Sequence, residues 1–286
     1  MVSRLYNYLL LTKPRIGLLV LLTGAAGLTL EGSLKSDPGR FALVLAGLFL
    51  VSGSANALNQ FFERDIDALM SRTRDKRPLP TGRLLPAEAL AFAGLIGIAG
   101  VWIFAGWFNL FSAVLSLFAI LFYGVFYTVW LKPRTHLNIV VGGVAGALAP
   151  MISWVAAAGS ISLVPLVLFA IVFFWSPPHF WALALYMQDD YRRAGLPMLP
   201  LVRGDARTVD AILRYSLVLF AISLLLVPAG AGLVYAVASV GLGAILLAKT
   251  IALKKDLTPV REKALFGYSI VYLCLLFVAI IVDGLV

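Results

Sequence analysis

Runs of nearly uninterrupted apolar residues recur along the chain, each about twenty residues long and set apart by short polar segments. Crossing about 30 Å of hydrocarbon takes roughly 20 helical residues. Nine runs reach that length, at about 14–31, 41–62, 87–107, 109–131, 138–158, 162–186, 210–229, 231–250 and 264–284. The pattern predicts an all-α polytopic membrane protein: a bundle of nine transmembrane helices in one membrane-embedded domain over residues 1–286. An odd number of spans puts the termini on opposite sides.

Composition removes the soluble alternatives. Hydrophobic residues make up 61% of the 286 residues and charged residues only 13%, too few charges to cover a water-exposed surface of this size. Cys274 is the only cysteine, which excludes a disulfide framework and a cysteine-based metal site. Lys13-Pro14-Arg15 interrupts the first apolar stretch with no clean cleavage site behind it, so the first helix is expected to stay.

The net charge of +9 does not point to nucleic acid once its placement is considered. Assigned to the gaps between spans, 21 of the 23 Lys and Arg residues fall on one side, leaving Lys35 and Arg40 on the other. The positive-inside rule places the richer side, and the N-terminus, in the cytoplasm, as expected for a multi-pass protein of the cytoplasmic (inner) membrane. Most of these charges need do no more than orient the chain.

The acidic residues are fewer and more telling. Four lie after the second span (Glu63, Asp65, Asp67, Asp75) and two at the end of the sixth (Asp189, Asp190). These two Asp-rich segments, about 56–84 and 179–207, fall on the same side. Asn59, Glu63 and Asp67 stand at i, i+4 and i+8, so on a helix they share one face over about 12 Å of axis, with Asp65 on another. An amide and two carboxylates in a column suit Mg²⁺, a hard cation that keeps waters and bridges to substrate phosphates. The basic loop Arg72-Thr-Arg-Asp-Lys-Arg77-Pro-Leu-Pro-Thr-Gly82-Arg83 follows. Arginines beside metal-bound carboxylates are what a diphosphate leaving group requires. Tyr186-Met-Gln-Asp189-Asp190-Tyr-Arg192-Arg193 repeats the plan weakly, with Tyr186 and Asp190 again at i, i+4. No Walker A loop or dinucleotide fingerprint occurs. Solvated acids at a helix end would give the same pattern without a metal.

Asn59-x3-Glu63-x3-Asp67, followed by Met70-Ser-Arg72-Thr73 and Arg77-Pro-x-Pro-x-Gly82, resembles the first aspartate-rich motif of the UbiA superfamily of intramembrane prenyltransferases. Three further stretches resemble its haem-farnesylating branch: Leu11-Thr-Lys-Pro-Arg-Ile16, Tyr127 to Lys132 running on to Gly146, and Ser176-Pro-Pro-His-Phe-Trp-Ala-Leu-Ala184 running to Pro197. The resemblance implies nine helices around a central cavity capped by the Asp-rich segments. It implies transfer of the farnesyl group of farnesyl diphosphate to a vinyl group of haem B, with water added, giving haem O. It implies metal ligation by Asn59, Glu63, Asp67 and Asp190, with Tyr186 in the second motif. Diphosphate contacts fall to Lys13, Arg72, Arg77, Lys132, Arg192 and Arg193. Glu63 stands where Asp is commoner and Tyr186 where the second motif begins with Asp, leaving Asp190 as that cluster's metal ligand. Haem A synthase or a terminal oxidase would receive the product.

Phe118, Phe122, Tyr123, Tyr127, Phe173, Phe174, Trp175 and Phe180 are candidate linings for an isoprenoid pocket, since π-faces stabilise cations. Each would equally serve as a packing residue. His179 follows Ser176-Pro177-Pro178 inside a span, where it would ligate haem iron, carry a proton, or fill the proline kink. A quinone-precursor prenyltransferase and a solute transporter remain as competing readings. A transporter should hold its acids near the midplane rather than in two clusters at one face.

Overall fold

The computed structural model describes residues 2–285, with side chains from Arg4 onward. All its regular elements are helical. Helix α1 (Val2–Leu11) leads into α2 (Pro14–Glu31) and α3 (Pro38–Phe62), and the short α4 (Arg64–Leu69) follows directly. After a turn-rich loop come α5 (Pro86–Trp107) and α6 (Leu110–Leu121), which continues as a π-helical stretch, Phe122–Leu131. Then follow α7 (Asn138–Ala158), α8 (Leu163–Tyr186), the short α9 (Gln188–Arg193) and α10 (Leu199–Arg203), α11 (Asp205–Leu224), α12 (Leu233–Lys255) and α13 (Pro259–Asp283). Four of the long helices open on proline at the first position, where the missing N–H costs nothing.

Eight helices are long and apolar enough to cross a membrane, with α6 and its π-helical continuation counted as one. The ninth expected span is present as α11, but it differs from the others. Asp205, Arg207, Asp210 and Arg214 occupy its first ten residues, and it stops at Leu224, so Leu225–Gly230 form turns where the apolar pattern predicted helix. Asp210 pairs with Lys254 at 2.8 Å, consistent with this end lying at a polar boundary.

The bundle turns soluble packing logic outward. Leu95, Ile98 and Trp102 on α5 and Leu233 and Val237 on α12 are exposed, while Ser54, Asn56, Asn59 and Gln60 on α3 are buried. Polar groups at membrane depth need internal partners; Ser54 donates to Ala93 O at 2.8 Å and Asn56 to Thr12 O at 3.1 Å. Bonds between distant segments define two ends. At one, Lys35 reaches Gly284 O, Arg40 reaches Trp107 O, and Asp283 receives Gly232 N–H and Tyr235 N–H. At the other, Arg4 pairs with Glu88, Ser71 binds Asp190 and Gln188 binds Asp205. The second end carries both Asp-rich segments.

Candidate active site

Helix α3 ends at Phe62 because Glu63 leaves helical geometry, with φ −91° and ψ 3°. The register survives the break. Glu63 N–H still bonds Asn59 O at 2.9 Å and Asp67 N–H bonds Glu63 O at 2.7 Å, so i, i+4 and i+8 keep one direction across the α3–α4 junction. Asn59, Glu63 and Asp67 are 2%, 3% and 2% exposed, whereas the Asp65 side chain is 85% exposed.

Three cations surround this column. Lys13 donates to Asn59 Oδ1 at 2.7 Å. Lys132 pairs with Glu63, and Arg77 pairs with Asp67 while standing 3.7 Å from Glu63. Lys13 has φ 51° and ψ 67°, the single non-glycine residue with positive φ among the described residues. It also precedes Pro14, a position biased toward extended backbone. A left-handed lysine costs on the order of 1 kcal/mol and is kept where the surroundings enforce it. Charges this dry are costly alone; removing one partner of a buried pair typically costs about 3–5 kcal/mol. Burial works to raise Glu63, but Lys132 and then Lys13 outweigh it and hold it below its ordinary value. Burial pushes Asp67 up, with the Glu63 charge adding to it against the pull of Arg77. Burial, and then Arg77, drives Lys13 well below the usual lysine value. Three basic side chains crowd two carboxylates here, and an arriving anion would favour their charged forms.

The π-helical stretch supplies the far wall. Tyr123 and Tyr127 stack with centroids 5.4 Å apart, and Lys13 Nζ sits 5.8 Å from the Tyr123 ring centre. Gly142 on α7 lets Tyr127 lie flat, since a Cβ there would overlap the ring. Thr128 accepts a hydrogen bond from Asn59 Nδ2 at 3.0 Å. Thr128 lies in the Tyr127–Lys132 stretch that carries the resemblance, but no role follows from its spacing: π-helical phase places it against Asn59.

The second cluster is built differently from its expectation. Helix α8 stops at Tyr186 and Met187 breaks the helical path, with φ −118° and ψ 29°, so Tyr186 and Asp190 no longer share a face. Tyr186 is exposed with Lys263 Nζ 5.9 Å from its ring centre, while Asp190 is buried. Asp190 grips the first segment's loop: it receives Ser71 N–H at 3.2 Å, Ser71 Oγ–H at 2.8 Å and Arg72 N–H at 3.1 Å, and pairs with Arg193. Those bonds outweigh burial and hold its carboxyl below the usual range. On the same loop, Thr73 Oγ–H bonds Asp67 O at 2.8 Å, so residues 70–73 tie the two Asp-rich segments together. Ser71 belongs to the first motif, but its part in this clamp was not assigned from the sequence. The Arg72 side chain is exposed and contributes here through its backbone. Arg192 pairs with exposed Asp189 at 2.6 Å and lines a separate hollow of about 330 Å³ with Gln188, Gly195 and Pro197.

His179 lies apart from these groups, in α8. Its ring stacks on Trp175 at 4.4 Å and Phe266 at 4.8 Å. Nδ1 is 2.8 Å from Ser269 Oγ, whose own proton goes to Phe266 O at 2.6 Å. A hydroxyl with its single proton so used accepts the Nδ1–H, which leaves Nε2 with a free lone pair. Of the candidate aromatics, Tyr127 and Trp175 are buried, while Phe118 and Phe180 are exposed.

Chemically, Asn59 Oδ1, Glu63 and Asp67 are hard oxygen donors. Among the described residues no three His, Cys, Asp or Glu side chains converge as a ready metal cage. Two carboxylates and an amide fit the habit of Mg²⁺, which takes few protein ligands and completes its shell with water and phosphate oxygens.

Comparison with known proteins agrees with this arrangement. The model of the UbiA prenyltransferase family matches residues 20–281. A protohaem IX farnesyltransferase of Gloeobacter violaceus is 45% identical over 99% of this chain and 93% of its own length. One from Erythrobacter litoralis is 46% identical over 97% and 92%. Among solved structures, a digeranylgeranylglyceryl phosphate synthase superposes with a TM-score of 0.81 at 17% identity, covering 99% of both chains. A UbiA homologue of Archaeoglobus fulgidus bound to GPP and Mg²⁺ gives 0.68 at 17%, covering 96% of this chain and 99% of its own. The chain therefore belongs to the UbiA prenyltransferase family.

Proposed function

We propose that this protein transfers the farnesyl group of farnesyl diphosphate to a vinyl group of haem B, forming haem O. Relatives of near-equal length at 45–46% identity carry that activity in their names. The observation that carries the mechanism is the buried column Asn59–Glu63–Asp67 ringed by Lys13, Arg77 and Lys132. In this reading the three cations grip the diphosphate, and Asn59, Glu63 and Asp67 hold Mg²⁺. Mg²⁺ would neutralise leaving-group charge as the C–O bond breaks. Asp190 can join a metal shell only by releasing one of its bonds to Ser71, Arg72 or Arg193.

The chemistry runs as an ionisation and capture. The C1–O bond of farnesyl diphosphate breaks with its electron pair leaving on oxygen, where Lys13, Arg77 and Lys132 are placed to meet it. Tyr123 and Tyr127 offer π-faces to the allylic cation beside Lys13 and shield it from water. The vinyl carbon of haem B bonds to C1, and the cation formed next to the porphyrin takes hydroxide from water, releasing one proton. His179, away from the diphosphate groups and with Nε2 unprotonated, serves the haem.

The basic-rich end that carries this pocket faces the cytoplasm in this reading, with the N-terminus on the same side and the protein in the inner membrane. Haem A synthase or a terminal oxidase would take up the product. The activity is tested with purified protein in liposomes, farnesyl diphosphate and Mg²⁺, offered haem B or an aromatic quinone precursor. Mass-resolved haem O from the first acceptor alone is expected; prenylation of the aromatic acceptor and none of haem would overturn the assignment.

A further inference from the structure

Asn59 has an amide whose two ends differ chemically, and only its oxygen can serve a cation. An amide's orientation is otherwise free to flip, because oxygen and NH₂ are nearly equal in shape. Two neighbours remove that freedom. Lys13 Nζ donates to Oδ1 at 2.7 Å. On the other side Thr128 Oγ receives Nδ2–H at 3.0 Å and sends its own proton to Tyr123 O at 2.7 Å. With the amide reversed, NH₂ would face the donating Lys13 Nζ. Thr128 would also have to withdraw its proton from Tyr123 to serve the oxygen. The Thr128-to-Tyr123 bond spans five residues, the π-helical step, and brings the hydroxyl to the α3 face that holds Asn59. Thr128 and Asn59 are both buried, at 5% and 2% exposure, so water cannot easily replace either bond.

We infer that Thr128 is a positioning residue: through the π-helical turn it holds the Asn59 amide with its oxygen turned toward Lys13 and away from the π-helical stretch. This rests on reading the Asn59–Glu63–Asp67 column as the metal and diphosphate site. Thr128 touches no substrate atom in this role. Outer-shell partners of this kind are worth about 10- to 100-fold in metal affinity.

The test uses Mn²⁺ as a spectroscopic probe, titrated into full-length protein holding farnesyl diphosphate without haem, so that no turnover occurs. Thr128→Val keeps the shape and removes both hydrogen bonds; it should weaken Mn²⁺ binding about tenfold or more. Thr128→Ser, which keeps the hydroxyl, should restore most of it. The deciding arm is the Asn59→Asp background. A carboxylate presents oxygen whichever way it turns, so there Thr128→Val should cost little. Equal losses in both backgrounds would mean that Thr128 merely supports the fold, and would overturn the inference. So would a Thr128→Val protein that binds Mn²⁺ like the wild type. Should Thr128→Val fail to fold, Thr128→Ala measured in the same two backgrounds decides by the same contrast. A wild-type protein that binds no Mn²⁺ with farnesyl diphosphate present refutes the functional reading itself, a result distinct from any variant's failure.

Discussion

With Lys132 locked onto Glu63 and Arg77 onto Asp67, neutralising either carboxylate strands a buried cation and, in the proposed reading, removes a metal donor as well. Glu63→Gln is nearly isosteric, and haem O turnover at saturating Mg²⁺ should fall at least 10²–10³-fold, the scale of one lost transition-state contact. Asp65→Asn should lose far less, since its side chain stands in solvent beside Arg64; the reverse ranking would sink the metal-site assignment. This contrast was legible from four-residue spacing alone. It survived the kink at Glu63 because backbone bonds to Asn59 and from Asp67 carry the register across. The roles of Thr128 and Ser71, both inside stretches that carry the resemblance, were not legible, because they depend on π-helical phase and on loop docking rather than on spacing. His179 belongs to the same scale. His179→Ala should impair haem O formation while Mg²⁺-dependent binding of farnesyl diphosphate, measured on membranes without haem, stays largely intact. Parallel loss of both, or full activity, would refute its assignment to the haem.

Between residue and bundle, the loop at 70–73 is the element that unites the two Asp-rich segments. Asp190 holds it through Ser71 and Arg72, and hydrogen bonds to a charged partner are worth about 1.5–3 kcal/mol. Asp190→Ala should therefore raise the open population of this loop at least tenfold. Trypsin cleavage after exposed Arg72 and Arg74 reads that population, since proteolysis follows local opening; unchanged cleavage would contradict the clamp. Because Asp190's carboxyl sits below its unfolded value near 3.9, its contribution is fully present above that pH and is lost only as pH falls through the lower folded value. The wild-type open population, read as cleavage relative to an unstructured peptide of the same sequence so that trypsin's own pH dependence cancels, should accordingly stay flat from about pH 7 to 5. Sequence periodicity read Tyr186 and Asp190 as one face, and the helix break at Met187 is why that failed. No proline or glycine marks the break. It comes where Asp190 turns in to meet a loop more than a hundred residues away in the chain.

For the whole molecule, apolar runs set eight spans to within a few residues of their observed limits, and the ninth was overdrawn where turns follow Leu224. The basic asymmetry predicts orientation. In a Cys274→Ala background, single cysteines near 72 and 192 should label from the cytoplasmic side and one at 35 from the opposite side. Labelling of 72 and 192 from opposite sides would break the shared site, which the Ser71–Asp190 contact requires to lie at one end. In the proposed function, the buried Asn59–Glu63–Asp67 column drives farnesylation of haem through a divalent cation. The rate of haem O appearance in proteoliposomes given farnesyl diphosphate and haem B measures it most directly, with Asp67→Asn beside the wild type, each with Mg²⁺ and with Mg²⁺ chelated. The wild type should make haem O only with Mg²⁺, and Asp67→Asn should fall at least about a hundredfold with Mg²⁺ present. Haem O made at an undiminished rate without divalent cation, or by Asp67→Asn, would contradict it.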